Sequence, residues 1–331
     1  MTRDVQGIVE LASAFYGSAI LFAALDTGVF AAVEKVSDLQ GLCAATGCDG
    51  RGLRLLLDGC VAVGLLEKRD GRYFNTAAGR MALVPGGAAG LSRAIVYNRD
   101  VYPAWGRLAE LARTGRPVER PELHLGDDPA RTRAFAEAMF ARAMGIGRGV
   151  VPMLGLKGEA RVLDLAGGPG AYAILMCETY PGVTCTTVDL AAISEVAREH
   201  VAGRGLEGRI DCRAGDYHSD VYEAEAYDAV TVFGALHQES PADIVAILAR
   251  AHRALRPGGR LYVLDMMTDA TRTAPAFSAL FAVNMALTTA NGWTFSDEEL
   301  KGWMREVGFR PGETRPVPPP MPHWLVTAEK A

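Results

Sequence analysis

Arg161-Val162-Leu163-Asp164-Leu165-Ala166-Gly167-Gly168-Pro169-Gly170 decides the fold of this chain. Its first half is a short apolar run that reads as a strand. Its second half carries three glycines and a proline, residues that turn a backbone tightly. Ala171–Thr179 follows with a helical pattern. The same alternation repeats downstream. TCTTVDL (184–190), RIDCRAGD (209–216), YDAVTVFGAL (227–236) and RLYVLDMM (260–267) read as strands, with helices over 192–202 and 241–255. HWLVTAEKA (323–331) reads as a closing strand. Strands alternating with helices predict an α/β fold with a parallel, doubly wound, Rossmann-like sheet. Ligands of such sheets bind beyond the carboxyl ends of the strands, so the residues after each run are the candidates.

Toward the N-terminus the pattern changes. Apolar residues recur at helical spacing over 8–25, 36–45 and 52–63. GLLEKRDGRYFNT (64–76) then offers two strand-like runs around Asp70-Gly71, a strong hairpin signal. Three helices and a hairpin predict a winged helix over residues 1–95. Its third helix, RGLRLLLDGCVAV (51–63), is too apolar to lie in a nucleic-acid groove and suits a core or a subunit interface. Residues 20–30 and 53–66 hold more apolar surface than so small a domain can bury, which predicts a homodimer. Residues 96–154 read as a helical connector lining a pocket, with helices over 102–114 and 132–144 split by the polar stretch GRPVERPELHLGDDPA (115–130). Residues 155–331 form the α/β domain.

The chain has 331 residues and a formal net charge of -5, which argues against a nucleic-acid partner. No run of about 18 uninterrupted apolar residues exists. Asp4, Glu10 and Asp26 break the nearest candidate, so no membrane association is expected and a cytoplasmic location follows. The six cysteines form no CxxC pair and read as buried free thiols, with no metal site expected.

The glycine turn alone is a weak sign, since Gly168-Pro169-Gly170-Ala171-Tyr172-Ala173 also fits the loose pattern of NAD-binding folds. Three acids refine it. Asp164 precedes the glycines, where it can orient the turn or meet an ammonium group. Asp189 ends the second run, where a carboxylate can accept both hydroxyls of a ribose. Asp216-Tyr217 follows the third run, where an acid can accept from an adenine amino group while an aromatic ring packs on the base. The acid before the turn and the acid after the third strand favour S-adenosylmethionine over NAD. Gly167, Gly168 and Gly170 complete the cofactor set.

VLDLAGGPG, TTVDL, GDY and FGALHQESP resemble the motifs of S-adenosylmethionine-dependent small-molecule O-methyltransferases, the family of plant caffeate enzymes, acetylserotonin methyltransferase and many bacterial natural-product enzymes. The segment from Leu25 to Glu67 is similar to that family's winged-helix dimerisation domain, which exchanges helices with a second subunit and does not read DNA. The resemblance implies transfer of a methyl group to a hydroxyl of a small aromatic molecule. The family usually has Gly where Ala166 stands; one added methyl group is expected to leave cofactor binding intact.

Methyl transfer from a sulfonium asks the protein for alignment and for removal of the acceptor's proton, and His is the usual base. His237 directly follows the fourth strand, at the edge where the cofactor opens to substrate, and matches the family's catalytic His. The other histidines read otherwise: His124 in the polar connector, His200 and His252 on charged helices, His218 after the third-strand turn, His323 at the last strand. Asp265 falls where plant enzymes keep a Glu that braces the base. The family continues Leu-His-Asp-Trp, but this chain reads Leu236-His237-Gln238-Glu239, and a second bracing Glu is missing near Thr294. Glu239 reads as a solvated acid at a helix start. These departures leave open an altered base mechanism, methylation at carbon or nitrogen, or a non-methylating activity. An NAD-dependent oxidoreductase lacks a recognisable catalytic set, and a ligand-sensing regulator is opposed by the charge. Trp105, Phe135, Phe140 and Phe277 are pocket candidates. Met139, Phe281, Met285 and Trp293 are the acceptor residues chosen, Met139 because FAEAMF resembles a pocket-lining helix of the family.

Overall fold

Aspartates set three of the N-terminal helix starts. Asp4, Asp38 and Asp49 each accept a hydrogen bond from a backbone N–H three residues on, at Gly7, Gly41 and Gly52, over 2.8–2.9 Å. The computed structural model describes residues 3–87, 91–120, 122, 125–318 and 322–331. His124 therefore lies outside the described residues. The chain divides into two units, Met1–Arg99 and Asp100–Ala331.

The first unit runs α1 (Val5–Ser13), α2 (Phe15–Asp26), α3 (Val29–Val33), α4 (Leu39–Thr46), α5 (Gly50–Ala62), β1 (Leu66–Arg69), β2 (Arg72–Asn75) and α6 (Ala77–Leu83). The helix expected over 8–25 is two helices joined at Ala14, and the one expected from residue 36 starts at Leu39 because Asp38 caps it. Asp70 and Gly71 both take positive φ, 49° and 74°, the conformation a tight two-residue hairpin turn requires. Phe30, Leu42, Leu53, Leu57, Leu66 and Tyr73 form the unit's core. Much of the apolar surface expected to be left over in 20–30 and 53–66 is thus consumed inside the unit. Exposed apolar side chains lie mainly on α1 and the start of α2 instead: Val5, Ile8, Val9, Leu11, Phe15 and Tyr16.

α7 (Leu91–Trp105), α8 (Leu108–Thr114) and α9 (Pro129–Leu154) follow. α9 extends well past the expected 132–144. Its glycine-rich end, GIGRGVVPML, reads as a weak helix former, but Gly147 lets it close on α10: a Cβ there would lie 2.5 Å from Leu175 Cδ1. The sheet comprises β3 (Arg161–Leu165), β4 (Thr184–Asp189), β5 (Ile210–Ala214), β6 (Tyr227–Phe233), β7 (Leu255–Asp265), β8 (Phe309–Pro316) and β9 (Trp324–Lys330), in the order β5-β4-β3-β6-β7-β9-β8. Helices α10 (Ala171–Thr179), α11 (Ala191–Ala202), α12 (Pro241–Ala254), α13 (Ala276–Thr288) and α14 (Asp297–Glu306) complete the unit. The first five strands are parallel, whereas β9 runs antiparallel to β7 and β8 antiparallel to β9. β8 has no strand signature in FRPGETRP. It is an edge strand with a register shift between Pro311 and Thr314, where prolines are tolerated.

From β3 the chain steps one way to β4 and β5; from β6 it steps the other way to β7. That reversal opens a crevice between the carboxyl ends of β3 and β6. The glycine turn after β3 and the His237 turn after β6 both start there.

Candidate active site

The turn after β3 is held from beneath. Asp164 is fully buried and accepts a hydrogen bond from Thr231 Oγ1 at 2.6 Å, with Thr187 Oγ1 at a weak 3.5 Å. Burial pushes its carboxyl up to about 7, and the nearby Asp189 charge adds to this against the pull of the Thr231 bond. Gly167 sits against this pair. A Cβ there would lie 1.9 Å from Thr187 Oγ1 and 2.5 Å from Asp164 Oδ2, so only glycine fits. Ala166, Gly168 and Gly170 all take positive φ, 53°, 57° and 82°. Asp164 therefore braces the turn from below, without a solvent-facing atom for an ammonium group.

Asp189 ends β4 beside the turn. Its Oδ2 accepts from Gly168 N and its Oδ1 from Leu190 N, both at 2.8 Å. Burial pushes its carboxyl up to about 6 against these two bonds. Each oxygen keeps a lone pair, so the group can accept two more donors. His200 holds the turn from the other side, with Nδ1 3.1 Å from Pro169 O, Nε2 3.4 Å from Glu137 on α9, and its ring against Phe140.

After β5, Asp216 Oδ1 meets both the backbone N and Nδ1 of His218, at 2.8 and 2.9 Å. Burial works against the Asp216 charge, but the His218 bonds outweigh it and hold the carboxyl below the ordinary range. Tyr217 donates from its hydroxyl to Glu239 Oε1 at 2.6 Å and stacks on the His218 ring at 4.4 Å. Glu239 is consequently not the solvated acid its sequence position suggests. It is buried, 6% exposed, and its Oε2 lies 2.7 Å from His218 Nε2. Both His218 and Glu239 escape a motif reading, because nothing in sequence shows that the two loops meet.

His237 lies on a single turn, Leu236–Gln238, after β6. Its Nδ1 is 2.7 Å from Asp265 Oδ1, and its backbone N donates to Asp265 Oδ2 at 3.2 Å. Asp265 ends β7 and is buried. Its position, next to the turn, makes up for a side chain one carbon shorter than Glu. Phe281 on α13 meets the imidazole edge-to-face at 4.9 Å. Trp293 buttresses the turn: its N donates to His237 O at 2.9 Å and its Nε1 to Glu239 O at 2.7 Å. Arg272 covers the indole at 4.8 Å. At Thr294, where a second bracing acid was sought, the hydroxyl lies 3.4 Å from that of Thr268. Met285 is buried on α13, and Met139 is half-buried on α9. Phe277 is half exposed, and Trp105 donates to Asn284 Oδ1 at 2.9 Å.

Residues 121–310 match the family model of the O-methyltransferase domain, and residues 9–85 match that of the O-methyltransferase dimerisation domain. The chain belongs to the O-methyltransferase family. It is an S-adenosylmethionine-dependent enzyme. It is 31% identical over 329 residues to a 3-hydroxy-5-methyl-1-naphthoate 3-O-methyltransferase of Streptomyces sahachiroi, across 98% of this chain and 95% of that one. It is 32% identical over 326 residues to the tetracenomycin polyketide synthesis 8-O-methyl transferase TcmO of Streptomyces glaucescens, across 96% and 95%. The fold superposes on human N-acetylserotonin methyltransferase in complex with SAM with a TM-score of 0.87, at 25% identity and over 99% of each chain. Gln238-Glu239, directly after His237, is one place where this O-methyltransferase departs from the Leu-His-Asp-Trp run.

Proposed function

We propose that the enzyme methylates a hydroxyl of a small aromatic molecule, with His237 as general base. The observation that carries this is the 2.7 Å contact between His237 Nδ1 and Asp265. A carboxylate there accepts a hydrogen bond from Nδ1–H, fixes the tautomer and leaves the Nε2 lone pair available. No partner for Nε2 occurs among the described residues. Phe281 and Met285 supply an apolar wall on α13, and Met139 and Trp293 are assigned to the same acceptor side. An aromatic acceptor suits such side chains, and relatives act on naphthoate and polyketide hydroxyls by name.

For the cofactor, Gly167, Gly168 and Gly170 shape the turn and Asp164 braces it. Asp189 accepts ribose hydroxyls, and Asp216 and Tyr217 flank the adenine. The donor chemistry fits: carboxylates with spare lone pairs stand at successive strand ends around one left-handed turn. Bound S-adenosylmethionine supplies a methyl group already activated for displacement. His237 takes the acceptor's hydroxyl proton at Nε2, and Asp265 stabilises the imidazolium that results. The Asp189 carboxylate must be charged to hold two hydroxyls well, so cofactor affinity should fall as pH drops through about 6.

The first unit we assign as a winged-helix dimerisation domain of a homodimer. Its exposed apolar α1 and its match to the dimerisation model support that reading. Six free thiols suit a reducing, cytoplasmic location.

Replacing His237 with Ala or Gln should slow single-turnover methylation by about 100-fold or more, the usual scale for a lost positioned base. S-adenosylhomocysteine affinity should hold, and Asp265→Asn should cost less. A His237→Ala enzyme that keeps its rate on the native acceptor would overturn the assignment and favour an acceptor that ionises unaided, or methylation at another atom.

A further inference from the structure

Both nitrogens of His218 face carboxylate oxygens: Nδ1 is 2.9 Å from Asp216 Oδ1, and Nε2 is 2.7 Å from Glu239 Oε2. A neutral imidazole has one N–H and would turn a lone pair toward one of the two anions; only the imidazolium donates to both. The second oxygen of Glu239 is taken by the Tyr217 hydroxyl at 2.6 Å. The two acids stand on different loops. Asp216 follows β5, where its backbone N donates to Asp220 Oδ2 at 3.0 Å. Glu239 lies two residues past His237, and Trp293 pins both of their carbonyls. Glu239 thus joins His218 to the His237 turn through direct hydrogen bonds.

We propose that His218 is a positioning residue: as an imidazolium between Asp216 and Glu239, it clamps the cofactor loop after β5 to the turn that carries His237. The proposal rests on the reading that Asp189, Asp216 and Tyr217 together form the cofactor site. The groups that face the ring are Asp216 on its own loop and Glu239 on the other, with Tyr217 stacked on its face. Among the described residues no Lys or Arg pairs with either acid. Burial works against the ring's charge, but the bonds and charges of Glu239 and Asp216 outweigh it and raise the group above 6.5. The sign follows. The clamp is complete below the ordinary His value and opens as pH climbs through the raised one. Cofactor affinity then has two limbs of different origin, an acid limb from Asp189 and an alkaline limb from His218.

The test is S-adenosylhomocysteine affinity by calorimetry across pH in wild type, His218→Gln, His218→Phe and Asp189→Ala, with thermal melts confirming that each is folded. Wild type should lose about tenfold on the alkaline side, the scale of a charge-assisted hydrogen bond. His218→Gln and His218→Phe should bind more weakly at neutral pH and show no alkaline limb, while keeping the acid limb. Phe preserves the stack on Tyr217, so a limb lost in both variants reports the charge rather than the packing. In turnover, KM for S-adenosylmethionine should rise at high pH in wild type more than kcat falls. An alkaline limb that survives in both His218 variants would overturn the clamp. Undiminished affinity in Asp189→Ala would instead overturn the cofactor-site reading beneath it, so the two failures are told apart.

Discussion

Ala166 holds a left-handed backbone, φ 53°, at the position where the family usually has glycine. A Cβ in that conformation costs roughly 1–2 kcal/mol against the following carbonyl. Glycine would relieve it but would also free the unfolded chain, which returns about 0.4–1 kcal/mol. Ala166→Gly should therefore leave stability unchanged or raise it by up to about 1.6 kcal/mol, and leave S-adenosylhomocysteine affinity unchanged. A lower melting temperature would show that the methyl group has a packing role that outweighs the backbone strain. At this scale the sequence says which residues carry chemistry but not how they pair. Asp164, Asp189 and His237 are legible because chain order places each at or just beyond the carboxyl end of a strand. His218 and Glu239 are not, because 21 residues of sequence separate two side chains that touch. Nor does the shortness of Asp265 reveal its contact with His237, which depends on where β7 ends beside the turn.

The elements follow sequence pattern where local signals and packing agree. Five strands and their helices lie close to where the β-branched runs place them. β8 and the end of α9 do not, since an edge strand with two prolines and a glycine-rich helix are decided by neighbours rather than by propensity. Gly147 is one such case, and Gly167 is another with a sharper consequence. The turn between β3 and α10 closes only because nothing occupies the space beside Thr187 Oγ1 and Asp164 Oδ2. Gly167→Ala forces a methyl group into a site with no slack on the strand side, an overpacking that costs typically about 1–3 kcal/mol. Thermal melts should show that loss, and cofactor affinity should fall with it because Gly168 moves relative to Asp189. Thr187→Ala added to Gly167→Ala should recover part of the stability by removing the nearer clash. Equal melting temperatures for wild type and Gly167→Ala would contradict the tight turn described here.

At the scale of the whole molecule, the apolar surface of the first unit sets the last expectation. α1 has no buried residue, and Val5, Ile8, Val9, Leu11, Phe15 and Tyr16 are each more than half exposed. A stretch that apolar on an isolated soluble chain marks an interaction surface. By length and composition α1 and α2 together could also cross a membrane: residues 5–26 reach a mean hydropathy of 1.8. Two observations favour a second copy of the chain. Glu10 sits within the stretch, and the dimerisation model matches from residue 9 onward. A standard interface of about 1,600 Å² needs around 20–30 residues a side, more than α1 alone offers, so α2 and the exposed Leu55 of α5 are expected to join it. Sedimentation at low concentration should therefore give a dimer. Ile8→Lys combined with Phe15→Glu should give a monomer, because each buries a charge without a partner at the interface. The second unit has its own core, so the monomer should still bind S-adenosylhomocysteine. A wild-type enzyme that sediments as a monomer, or that floats with lipid vesicles until the same two substitutions release it, would assign this surface to something other than its twin.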